Sequence, residues 1–124
     1  MKITEKVKSF EDACQILNIE ANLPQVEMLP ENHKKAIIAH YKLIIIAEAL
    51  NEGWKPDWDN DDEWKYYPWF DMEGSSSGVC FSCNVYGYWD TFSHVCSRLC
   101  FKSRELAEYA GKQFPEIYKN YMTI

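Results

Sequence analysis

The sequence has no excess of basic residues, no glycine-rich phosphate loop, no HExxH pattern, no internal repeat and no apolar run long enough to cross a bilayer. Each absence removes a class of function. Acidic residues number 19 against 13 Lys and Arg, a net charge of −6. Nonspecific nucleic-acid binding instead needs cations that release counterions from phosphates. The same balance disfavours anionic membranes. The most apolar stretch, Ala36 to Leu50, is broken by His40, Lys42 and Glu48 and falls short of the ~20 residues of a spanning helix. The opening MKITEKVKSFEDAC has no apolar h-region before its charges resume, so a cytoplasmic protein is expected. An odd number of cysteines, 5, then reads as reduced thiols or metal ligands in preference to a disulfide framework.

What is present in excess is aromatic: Phe, Tyr and Trp make up 15% of the 124 residues. Residues 53–72, GWKPDWDNDDEWKYYPWFDM, hold four of the five tryptophans with acidic side chains among them. Such rings either fill a small core or line a binding face. Exposed rings in these numbers invite aggregation, so at least half are expected inside.

The length fits one domain, 1–124, in three stretches: 1–53 mainly helical, 54–102 an aromatic-rich β-meander, and 103–124 helical. Ser9 caps a predicted helix over about 9–18, whose Phe10, Ala13, Cys14 and Leu17 keep helical spacing. Residues 19–29 read as a loop pinned to the core by Leu23, Val26 and Leu29. Pro30 and Gly53 bracket a long helix that is apolar nearly all round, hence wrapped by other elements or paired with another chain. Alternation then predicts strands over Trp64–Met72, Val79–Tyr86 and Val95–Phe101, linked through Glu73–Gly78 and Gly87–Ser93. Pro68 places the first at an edge or bulge. Ser103 caps a last helical region that restarts at Pro115. The expected fold is therefore α+β, with a long central helix and terminal helices packed on a three-stranded antiparallel meander.

Three blocks, EGWKPDW (Glu52 to Trp58), YYPWFDM (Tyr66 to Met72) and SRLCFKSRELAEYAGKQF (Ser97 to Phe114), resemble small uncharacterised proteins of phages, prophages and mobile elements of gut Bacteroidales. The N-terminal KITEKVKSFEDACQILNI is similar to them as well. The resemblance implies a genomic setting and carries no activity or catalytic residue. It also implies that the cysteines at 80, 83 and 96 are dispensable, whereas Cys100 belongs to a shared block.

Asp57, Asp59 and Asp61 alternate as at the start of a calcium loop, but Asp62 stands where its glycine is required and Pro68 where its glutamate is. A solvated turn whose Asx side chains bond the local backbone fits better. Cys80-x2-Cys83 followed by Cys96-x3-Cys100, with His94 near, has the composition of a structural zinc site. In strands, however, Cys80 and Cys83 point to opposite faces, and Cys96 and Cys100 lie roughly 13 Å apart. A thiol enzyme using Cys100 or Cys96 with His94 is a further alternative, requiring a depressed thiol pKa. The preferred expectation is non-enzymatic: no cofactor, no metal, and a protein partner bound through Trp54, Trp58, Trp64, Tyr67, Trp69, Asp59 and Asp61.

Overall fold

The computed structural model describes residues 1–72, 82–89 and 95–124; the side chains of Asp71 and of residues 82–89 lie outside that description. Five helices and one antiparallel strand pair are described: α1 (Ile3–Lys6), α2 (Phe10–Leu17), α3 (Glu31–Asn51), β1 (Lys65–Asp71), β2 (Ser82–Trp89), α4 (Arg104–Gln113) and α5 (Pro115–Met122). No described helix is long and apolar enough to cross a membrane.

Helix boundaries follow local chemistry. The Ser9 hydroxyl accepts from the Asp12 amide at 3.1 Å and that of Ser103 from Leu106 at 3.3 Å, each satisfying a first-turn N–H that has no helical partner. Asn18 closes α2 in the left-handed conformation, and Glu52 with Gly53 (φ 86°) closes α3 the same way. Pro115 starts α5, where its missing N–H costs nothing.

The core forms where the second half of α3 is wrapped. Leu43, Ile45, Ile46, Ala47, Ala49 and Leu50 are buried against Phe10 and Cys14 of α2, Leu106 and Ala110 of α4, and Phe114 and Tyr118 at α5. The all-round apolar pattern of α3 thus has an intramolecular cause over this half. The first turn stands clear, with residues 31–33 exposed, and Ile37 is 43% exposed, although Ala39 is already buried. Residues 19–30 before it depart from expectation. Leu23 and Leu29 are exposed and Val26 is only partly covered, so none of the three pins the segment to the core.

The three-stranded meander is not seen; helix dominates the described residues, and their sheet has two strands. β1 pairs with β2 from Lys65↔Trp89 to Asp71↔Ser82, with an irregularity between Trp69 and Phe70 where Asn84 of β2 is passed over. The third predicted strand is replaced by a turn at residues 95–99, with Cys96 left-handed (φ 58°), followed by a single bridge, Tyr66↔Phe101. The bridge has no room to lengthen. Tyr66 and Phe101 exchange both backbone hydrogen bonds, at 3.0 and 2.7 Å, so in an antiparallel ladder the next pair would be Pro68 with Leu99. Pro68 has no N–H to give. In the other direction Ser103 is already committed to capping α4. The Gly87–Ser93 turn is likewise corrected in its first three residues, which continue β2. The Glu73–Gly78 link and residues 79–81 lie outside the described residues.

A side chain fixes the far side of the bridge. Asn51, the last residue of α3, is buried; its Nδ2 donates to the Cys100 carbonyl at 2.9 Å, and its Oδ1 accepts from the Lys102 amide at 3.1 Å. Phe101, fully buried between these contacts, turns its own N–H and C=O to Tyr66. The amide of Asn51 thus stands in for a neighbouring strand.

Candidate functional site

The acidic turn between α3 and β1 is built on one buried cation. Lys65, the first residue of β1, has no exposed surface, and a buried ammonium must be paired and hydrogen-bonded. Its Nζ donates to the Asn60 carbonyl at 2.9 Å, lies 3.5 Å from Glu63 Oε1 and sits 5.2 Å from the centre of the Trp58 ring. Glu63 gathers the rest: Oε1 accepts from the Asp57 amide at 2.7 Å and Oε2 from the Trp54 indole at 3.3 Å. Trp58 in turn donates its indole N–H to Ser97 Oγ at 2.7 Å, tying the turn to residues 95–99.

The outer side is closed by Asx turns, as expected. Asp57 accepts from the Asp59 amide and Asn60 from the Asp62 amide, each at 3.0 Å. With these bonds made inward, Asp57, Asp59, Asp61 and Asp62 all stand exposed.

The rings divide between the two faces of β1. Tyr66 and Phe70 share the face toward the core, where Phe70 meets Tyr118 at 4.9 Å. Lys65, Tyr67 and Trp69 alternate onto the other face. Tyr67 is buried there beside Trp69, at 6.0 Å, while Trp69 is 50% exposed. Trp64, 48% exposed, lies with Tyr66 at 6.4 Å. The seven residues expected to form one binding face are therefore distributed. Trp54 and Trp58 are half-buried parts of the turn, Asp59 and Asp61 project from it, Trp64 flanks it, Tyr67 is interior, and Trp69 lies farther along β1 on the opposite side from Trp64. Lys65 and Glu63, which hold the turn, carry no sequence signal stronger than a Glu and a Lys two apart beside tryptophans.

The cysteines separate too. Cys100 is fully buried, its Sγ 3.6 Å from the Ser97 carbonyl, and burial pushes its thiol up to about 12 despite the nearby Lys65 ammonium. At neutral pH it is a thiol, the opposite of what a nucleophile needs. Cys96 is exposed. The turn at 95–99 overturns the strand spacing assumed between Cys96 and Cys100. Cys80 and His94, and the side chain of Cys83, lie outside the described residues. Among the described residues no group of three or more His, Cys, Asp or Glu side chains is placed to hold a metal. His40 stacks on Tyr121 at 4.9 Å, and His33 is exposed.

No protein-family model, curated protein or solved structure matches this chain.

Proposed function

We propose that this chain is a non-enzymatic accessory protein of a phage or mobile element, acting in the host cytoplasm by binding a protein partner through its acidic turn. The observation that carries the reading is the Lys65–Glu63–Trp58 arrangement, which uses one buried cation to hold a surface turn and leaves four aspartates outward. A turn fixed before binding loses little entropy on association, and its like charges steer a basic surface toward it. Trp64, half-exposed beside the turn, supplies the apolar contact such interfaces centre on. The phage setting rests on the resemblance of the three blocks.

The variant D57N/D59N/D61N/D62N removes four charges while the amide oxygen at position 57 can still accept from the residue 59 amide. The test is affinity capture from extracts of gut Bacteroidales with the wild-type chain and this variant. A partner retained at low salt by the wild type and lost by the variant, with both melting alike, supports the reading. Identical captures from the two proteins overturn it.

A further inference from the structure

Residues 19–30 form an exposed arm between α2 and α3. From Ile19 to Val26 it makes no turn or bend and joins no helix or strand. Among the described residues, no backbone N–H from Glu20 to Met28 donates a hydrogen bond within the chain, and of those carbonyls only that of Val26 accepts one, from Leu29. Water satisfies such a backbone, but it gains nothing from apolar side chains. Ile19, Leu23, Met28 and Leu29 are nonetheless all exposed, Met28 at 94%. The arm's charge is of one sign: it carries Glu20 and Glu27, and no Lys or Arg occurs between Lys8 and Lys34.

A surface of matching chemistry begins one helical turn past the arm. α3 and α5 leave a groove where apolar Ile38, Ala39 and Ile117 lie with Lys35, Lys42 and Asn120. Apolar side chains and acids on the arm are thus complementary in kind to the apolar side chains and lysines of the groove. Because Lys35 follows Pro30 so closely, two chains related by a two-fold axis beside the start of α3 can each lay an arm on the other's groove. We infer that a second copy of this chain is the occupant, in a reciprocal arm-exchange dimer that covers the groove between α3 and α5.

The test is sedimentation equilibrium of the full chain from about 5 to about 200 µM, a range in which mass action resolves a moderate dimer. A concentration-dependent dimer is expected. E20K/E27K and K35E/K42E should each weaken it about tenfold or more by placing like charges across both contacts. An equimolar mixture of the two variants should regain wild-type dimerisation, because both contacts are then opposite in sign. Lys42 also lies over the Phe10 ring, at 5.8 Å. K35E alone, which spares that contact, serves as the second groove variant, and helical circular dichroism confirms folding. A monomer throughout, a dimer indifferent to either reversal, or a mixture that stays monomeric would overturn the inference.

Discussion

Replacing Lys65 by Met removes the ammonium and keeps a stem of similar length. Counted singly, the contacts suggest a heavy loss: about 1.5–3 kcal/mol for a charged hydrogen bond to the Asn60 carbonyl and about 1–2 for a desolvated cation over Trp58. The Glu63 pair adds less than about 1 kcal/mol, since that carboxylate is 28% exposed and partly screened by water. Against these stands the desolvation of the ammonium itself, which the variant no longer bears. Nor does the variant strand a buried charge, because Glu63 keeps the Asp57 amide and the Trp54 indole, and Asn60 is exposed to water. The expected net cost is therefore about 1–2 kcal/mol, well below the ~3–5 typical of breaking a fully buried pair. Urea denaturation measures it, and two-dimensional NMR of the indole N–H groups localises it. Trp58 should shift and exchange faster with solvent while the core amides stay protected. A loss beyond about 4 kcal/mol, or unchanged indole signals, would refute the assignment of Lys65 as a local anchor of the turn.

Asn51→Asp keeps the acceptor for the Lys102 amide but sets a carboxylate against the Cys100 carbonyl, at a cost of about 2–4 kcal/mol at pH 7. Burial and that carbonyl raise the new carboxyl's folded pKa, so the deficit should shrink as pH falls toward about 4, where the protonated acid can donate; an equal deficit at pH 4 and 7 would sink this account. For Cys100, a folded pKa near 12 against the ordinary 9.0 means the unfolded chain loses its proton first. Stability should then fall by about 1.4 kcal/mol per pH unit between pH 9 and about 12. Cys100→Ala should lack that portion of the slope, and matching alkaline profiles would contradict it. Trp64→Ala and Trp69→Ala, at half-exposed sites, should each change stability by less than about 1 kcal/mol. A larger loss from either by calorimetry would place that ring in the core.

The helices were legible because their ends are written locally. Ser9, Pro30, Gly53, Ser103 and Pro115 each act within one turn of their own position: α2 to α5 begin beside Ser9, Pro30, Ser103 and Pro115, and α3 ends just before Gly53. Only α1, four residues long, carried no comparable signal. The third strand was misread because Val95–Phe101 alternates as a strand does, while what limits it lies elsewhere: Pro68 on the neighbouring strand and the cap at Ser103. The site was half legible. The local Asx turns and the two-faced distribution of rings along Lys65–Asp71 follow from type and spacing. The burial of Lys65 does not, because it depends on Trp58 and Glu63 folding back over the strand. Residues 19–30 show the converse: apolar side chains promised anchoring, yet Ile19, Leu23, Met28 and Leu29 stand exposed and no described helix or strand receives them.

The clamp made by Asn51 joins points 49 and 51 residues apart, and Tyr66 meets the same short segment from the other side. Everything from Gly53 to Leu99 is thus a closed excursion whose two ends are held together regardless of what lies between. The entropy of closing such a loop grows only logarithmically, by roughly 0.6 kcal/mol for each doubling of its length. Closure alone therefore sets little limit on the length between its ends, but β1 is held separately: one residue gained or lost there would turn Phe70 and Tyr66 away from the core, and a change at Asn51 or Phe101 reaches the core directly. In a lineage of such chains, length variation should gather inside the excursion but outside β1 and the turn that Lys65 anchors, and the two ends of the clamp should stay put.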